Sequence, residues 1–365
     1  MSAKLPLAKR IELKIARVLF ALPPRAQLWL SGRPALVRAG ATLHPQLQLA
    51  LTLNRGHDKV IALSHPSLSK ARRNMVRDTT RFLAAAPEVH AVRDFRIATP
   101  DAELPARHYT PAPSAEQRPL LVFLHGGGFA LGNLDSHDDL CRRLCSAGRL
   151  HVLSVEYRKA PEAPFPAATV DALAALRYAQ AHARALGADE SRIAVGGDSA
   201  GANLATFVAR RTRHDRPPFA QVLIYPATDF STQWPSREQF GRGLFLTAAD
   251  ITWFDEQYAA GAQAKADPDL SPLCDPDLRG LCPAVVMTAE LDPLRDEGEA
   301  YAAALASAGN RVVSWREVGL THGFVHLAVL ASAAEQAVDR LVARVSSLLH
   351  EPVVRPVSTA RAEVN

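Results

Sequence analysis

A single serine framed by glycines, Gly197-Asp198-Ser199-Ala200-Gly201, follows the apolar, β-prone run Ile193–Val195. Helix-forming sequence comes next, through Asn203, Leu204, Ala205, Phe207 and Val208. A strand, a sharp turn and a helix in that order strain the serine backbone, and a β-carbon at either flanking glycine would strike the strand or the helix. The hydroxyl is then held out at the top of a sheet, where it could act as a nucleophile. Small residues are common in so alanine-rich a chain, so the spacing leaves a second reading in which Ser199 caps the helix that it precedes.

Serine is a weak nucleophile unless a base lies within hydrogen-bond reach and an acid orients that base. In a nucleophile-elbow arrangement these follow in the order Ser, Asp or Glu, His, each on a loop after a strand. Asp292 follows the run Ala284–Thr288, and His322 follows Arg311–Glu317. Both positions are carboxyl ends of expected strands, where open α/β sheets place their sites. The local rivals are Glu290 and Asp296 for the acid, with Asp296 better placed to cap the helix near Glu297, and His326 for the base, which reads better as a pocket or packing residue.

Straight after the apolar run Leu120–Leu124 comes His125-Gly126-Gly127-Gly128-Phe129. Three successive glycines cost backbone entropy and let bare N–H groups converge on one point. A tetrahedral oxyanion needs such donors, and a further one is expected from Ala200, the residue after the nucleophile. Gly126, Gly127, Gly128 and Ala200 are therefore the candidate oxyanion hole, with Gly127, Gly128 and Ala200 donating and Gly126 shaping the turn. A phosphate loop is the other reading of a glycine run, but the G-K-[ST] ending and the G-x-G-x-x-G spacing are both missing.

The elements that would position these groups alternate. Short β-prone runs open at Val92–Ile97 and Ala106–Tyr109. Leu120–Leu124, Val152–Tyr157, Ile193–Val195, Gln221–Tyr225, Ala284–Thr288 and Arg311–Glu317 then interleave with helical stretches at 138–147, 167–186, 202–211, 297–308 and 333–349. Such alternation builds a mostly parallel sheet covered on both faces. Residues 227–266 interrupt it with helical, aromatic-containing sequence. Residues 5–22 place Ile11, Ile15, Val18 and Leu22 on one helical stripe flanked by Arg10, Lys14 and Arg17. That stripe is expected to dock onto the body of the protein or a partner subunit, the alternative being rest on an anionic membrane surface. Further helices are expected across 40–86, and 351–365 reads as a flexible tail.

Composition narrows the classes. The first 100 residues carry 17 Lys/Arg against 5 Asp/Glu, so the net charge of +5 hides a basic N-terminal part and an acidic remainder. Aromatics are few there and no nucleic-acid motif appears, so a solvated basic face is the reading and no nucleic acid is expected. Cys141, Cys145, Cys274 and Cys282 have neither C-x-x-C spacing nor a zinc pattern and read as reduced thiols, with no metal expected. No apolar run suits a secretory signal or a bilayer span, which points to the cytoplasm.

His125–Phe129, Tyr157–Ala168, Gly197–Asn203, Asp292–Glu297 and His322-Gly323-Phe324 together resemble the hormone-sensitive lipase family of esterases, over about residues 90–350. Asp198 resembles the branch that carries Asp before the serine. Lys159 stands where the family usually has Leu, Ala202 where Gly is common, and the first 40 or so residues run longer than the family's start. The resemblance implies an α/β-hydrolase fold: a mostly parallel eight-stranded sheet flanked by helices, with a helical cap. It divides the chain into an N-terminal helical extension and cap (1–90), a catalytic domain (91–350) with a cap insertion at about 227–270, and the tail. It also implies carboxylester hydrolysis without a cofactor, through a triad of Ser199, His322 and Asp292.

Phe245, Trp253 and Phe254 of the insertion are the candidate walls of the substrate pocket, unless they only pack the cap onto the body. A capped apolar pocket suits a soluble short- to medium-chain ester as the small-molecule substrate better than emulsified fat. Competing readings are an amidase or arylacetamide deacetylase, and a ligand-binding protein on the same scaffold. A homodimer, and peripheral membrane or partner contact through the basic first helix, complete the expectations.

Overall fold

The computed structural model describes residues 7–53, 67–81, 86–261 and 265–351. In chain order the elements are α1 (Leu7–Ala21), α2 (Pro24–Ser31), the two-residue strands β1 (Val37–Arg38) and β2 (Ala41–Thr42), α3 (Pro45–Leu53) and α4 (Leu68–Thr80). The alternating part runs β3 (Ala91–Ala98), β4 (Glu103–Thr110), β5 (Arg118–Leu124), α5 (Asp138–Gly148), β6 (His151–Val155), α6 (Ala167–His182), β7 (Ala188–Asp198), α7 (Ala200–Arg211) and β8 (Gln221–Ile224). After it come α8 (Pro235–Phe240), α9 (Ala248–Tyr258), β9 (Ala284–Leu291), α10 (Arg295–Ser307), β10 (Val312–Thr321) and α11 (Ser332–His350). The expected flexible tail falls, apart from Glu351, outside the described residues.

Strands β3–β10 form one eight-stranded sheet in the order β10-β9-β8-β7-β5-β6-β4-β3. Every neighbouring pair is parallel except β3 with β4 and β4 with β6, which are antiparallel. Strand β5 lies between β6 and β7, so the chain leaves it to one side and returns on the other. That reversal opens a crevice beyond the carboxyl ends of β5 and β7, the usual position of a site in a doubly covered sheet.

The period-two alternation of the central strands sorts their side chains onto the two faces. Leu121, Phe123, Val285 and Met287 join the core beneath α5 and α11, while Leu120, Val122, Leu124 and Val286 join the core beneath α6, α7 and α10. Residues 119–124 are buried without interruption, as in a strand covered on both faces, whereas the edge strand β3 is mostly exposed. Burying one such Leu, Val or Phe side chain contributes about 1.5–3 kcal/mol, so this part of the sheet is a stiff platform for what stands at its ends.

The first helix does not lay its apolar stripe on the body of the protein. Ile11, Ile15 and Val18 are 50%, 56% and 64% exposed. The contact is made one residue round the helix, where Phe20 is buried and its carbonyl accepts from the side-chain amides of Gln27 and Gln46 at 2.8 and 2.7 Å. Gln46 in turn accepts from the Ala333 amide at 2.9 Å, which ties α3 to the start of α11. The first half of α1 is held by an ion pair between Glu12 and Arg81.

Candidate active site

The turn from β7 into α7 carries the strain that the glycine spacing implied. Ser199 has φ 54° and ψ −118°, a left-handed conformation that L-residues avoid. Its amide donates to the Ile224 carbonyl on the neighbouring strand at 2.8 Å, which holds the turn against the sheet. A β-carbon on Gly201 would lie 1.9 Å from the Leu124 carbonyl oxygen, so only glycine admits this close approach. Ser199 occupies the N-cap position of α7, yet its side chain makes no capping bond. The hydroxyl is directed to His322 instead.

His322 Nε2 lies 2.9 Å from Ser199 Oγ, and His322 Nδ1 lies 2.7 Å from Asp292 Oδ2. An ionised carboxylate only accepts, so the proton of the ring sits on Nδ1 and Nε2 is free to receive the hydroxyl proton. Asp292 is fully buried where the chain leaves β9, and its other oxygen is fixed by the Leu294 amide at 2.8 Å. His322 directly follows β10. Three loops that are distant in sequence thus bring a hydroxyl, an imidazole and a carboxylate into one hydrogen-bonded line.

The rivals are accounted for elsewhere. Glu290 accepts from the Gly319 amide at 2.8 Å. Asp296 does not cap α10, whose N-cap is Leu294; it accepts from the Ser236 amide at 2.8 Å and from Arg295. His326 lies instead beside His137, with ring centroids 4.8 Å apart.

The glycine run turns sharply after β5. The Gly126 amide donates to Asp198 Oδ1 at 2.7 Å, which commits it to holding the loop. Among the described residues, no protein group accepts from the amides of Gly127 or Gly128. A β-carbon on Gly128, at φ 59°, would fall 2.1 Å from Phe254 Cδ1, so the bare backbone also makes room for the helix above. Behind the loop, Tyr157 Oη donates to the His125 carbonyl at 2.6 Å and its ring stacks on the His125 imidazole. Burial alone would push the Asp198 carboxyl up, but the adjoining His137 ring and the Gly126 amide outweigh it and hold the group well below the usual carboxylate range.

A cavity of about 540 Å³ opens over these groups, within the range of small-molecule sites. Phe245 and Phe254 line it together with Leu246 and Ile251. Trp253 does not line it: one residue round α9, it packs edge-on against Phe254 at 5.5 Å and among the partly buried side chains beside α4. Leu51 of α3 and Met75 of α4 also line the cavity. No motif marks them; only the expectation that the N-terminal helices contribute to the cap pointed there. Polar groups at the wall include Asp255, which burial raises to about 6, and Arg237, which donates to the buried Glu297 at 2.7 Å.

Residues 121–326 match the family described as the alpha/beta hydrolase fold. The chain belongs to the α/β-hydrolase fold family. Its match to the carboxylic ester hydrolase LipN of Mycobacterium tuberculosis is 43% identical over 338 residues, covering 89% of this chain and 88% of that protein. Its match to the ethyl acetate hydrolase of Pseudomonas putida is 38% identical over 310 residues, covering 82% of this chain and 98% of that protein. Among solved structures, an ester hydrolase from the metagenome of Lake Arreo, complexed with a bipyridine phosphonate derivative, superposes with a TM-score of 0.79 at 39% identity. That likeness covers 84% of this chain and 98% of the other. These α/β-hydrolase relatives agree with the hormone-sensitive-lipase-type esterase motifs of the sequence.

Proposed function

We propose that this chain is a serine carboxylesterase acting on short- to medium-chain acyl esters. The observation that carries the reading is the line Ser199 Oγ, His322 Nε2 and His322 Nδ1, Asp292 Oδ2, with separations of 2.9 and 2.7 Å. The relatives named as ester hydrolases support it. His322 takes the Ser199 proton as the oxygen attacks the ester carbonyl, and Asp292 balances the imidazolium that forms. The free amides of Gly127 and Gly128, with that of Ala200, receive the oxyanion while Gly126 holds the turn. The alcohol leaves with the proton from His322, and water, deprotonated by the same ring, releases the acid.

In this reading residues 91–350 are the catalytic domain, and the N-terminal helices together with the insertion at about 227–270 form its cap. The apolar wall of Leu51, Met75, Phe245 and Phe254 favours acyl chains of a few carbons. Ser199→Ala, folded as judged by circular dichroism, should lose turnover of p-nitrophenyl butyrate by at least about 10⁴-fold. Retained turnover would refute the assignment, and parallel amide substrates separate esterase from amidase.

A second surface belongs to the same proposal. The exposed stripe of Ile11, Ile15 and Val18, flanked by Lys14 and Arg17, fits peripheral contact with an anionic lipid surface. No helix among the described residues is long and apolar enough to cross a membrane. A cytoplasmic enzyme that visits a membrane face is the placement proposed; a homodimer through the same stripe would show itself as a change in sedimentation.

A further inference from the structure

Behind the nucleophile, three side chains that the esterase reaction does not consume face one another. His137 Nε2 lies 3.0 Å from Asp198 Oδ1, but the two are not aligned for a hydrogen bond, and Nε2 is buried with no other partner among the described residues. The His137 side chain is fully buried. Its other nitrogen, Nδ1, is fixed by Ser136 Oγ at 2.8 Å, an outer contact of the kind that orients metal-binding imidazoles. His326 completes the group: one donor atom from each of His137, Asp198 and His326 lies within 4.8 Å of the others.

We propose that His137, Asp198 and His326 form a binding site for a divalent transition-metal ion such as Zn²⁺, and that its occupancy slows the esterase. Two imidazoles and one carboxylate suit zinc and its neighbours rather than calcium or magnesium. Donors about 2.0–2.2 Å from a tetrahedral ion lie roughly 3.3–3.6 Å apart, so a pair as wide as 4.8 Å has to be drawn in by a little over an ångström when the ion binds. Entry is open, because Asp198 and His326 both line the cavity, leaving the remaining coordination positions to water.

The inhibitory part rests on the esterase reading. Asp198 Oδ1 is also the acceptor that holds Gly126, so an ion drawing on that carboxylate loosens the cradle. Added positive charge in the cavity that His322 also lines opposes the imidazolium that must form there.

The test uses the Ser199→Ala chain, stripped with a chelator and titrated with Co²⁺, whose visible absorption reports an imidazole and carboxylate environment. The expected result is a band that saturates at one ion per chain, is displaced by Zn²⁺, is lost in His326→Ala and persists in His322→Ala. His137→Asn provides a second ligand deletion should His326→Ala lose its circular dichroism. In the active chain, Zn²⁺ should lower ester turnover roughly tenfold and a chelator should restore it, with each variant compared against its own metal-free rate. No saturable band, or a band lost in His322→Ala and kept in His326→Ala, would overturn the site. Because the Co²⁺ reading needs no turnover, that failure is distinct from failure of the esterase reading.

Discussion

Asp198 Oδ1 accepts the Gly126 amide proton at 2.7 Å, which joins the residue before the nucleophile to the first glycine of the loop that should receive the oxyanion. The turn that carries the proposed nucleophile and the proposed cradle are therefore tied to each other through one buried carboxylate. Asp198→Ala should lower kcat by about 10- to 100-fold, short of the loss expected for deleting a donor outright, with KM little changed. Asp198→Asn keeps an acceptor and should recover part of the rate. Parallel changes in kcat and KM, or no recovery in Asn, would show that the bond only stabilises the fold.

Phe254 lies against Gly128 and lines the cavity, so in the proposed esterase it limits the space beside the substrate carbonyl. Across p-nitrophenyl esters, C4 should exceed C16 in kcat/KM, and Phe254→Ala should move the optimum toward longer chains. One methylene in an apolar pocket corresponds to about 1–3 kcal/mol of discrimination, so the shift is readable from an acyl-chain series. An unchanged profile would place the wall elsewhere.

The candidate catalytic groups are legible because each sits in a short motif whose chemistry is local: an elbow, a glycine run, an acid and a base after strands. The sheet was legible because buried strands read as uninterrupted apolar runs. Other features depend on packing that no window contains. The stripe Ile11, Ile15 and Val18 has the period of a docking face, but the period does not say which way the helix is turned, and Phe20 makes the contact. Trp253 and Phe254 are adjacent aromatics of equal promise, and only the rotation of α9 decides that Phe254 meets the cavity. Strand β7 reaches back to Ala188 through the polar Asp189, Glu190 and Ser191, where pairing of Ala188 with Arg118 rather than side-chain pattern sets its length.

A buried histidine pair should weaken the fold in acid. His108 Nε2 and His151 Nδ1 are 3.0 Å apart on adjacent strands, and burial, reinforced at His108 by its neighbour, lowers each from 6.5 to about 4. Between pH 6.5 and 4 the unfolded chain therefore binds more protons than the folded one, so these residues stabilise the fold above pH 6.5 and that contribution is lost as the pH falls through about 4. Thermal midpoints measured from pH 8 down to 4.5 should fall, and His108→Gln should flatten the fall. An equally steep profile in the variant would assign the acid sensitivity to other groups.

The exposed face of α1 should sediment the protein with anionic vesicles at low salt. Substituting both Ile15→Glu and Val18→Glu should release it, as should high salt, which screens the flanking Lys14 and Arg17. Binding unaffected by the double substitution would remove the stripe from the account.

The central claim is that Ser199, activated by His322 and Asp292, is the nucleophile. Its most direct test is the site of attachment of a phosphonate ester that reacts only with activated serines, read by mass spectrometry of the digested protein alongside residual esterase activity. A single adduct on Ser199, formed in step with the loss of activity and greatly slowed in His322→Ala, is the expected result. Full loss of activity with the adduct on another residue, or undiminished labelling of Ser199 in His322→Ala, would contradict it.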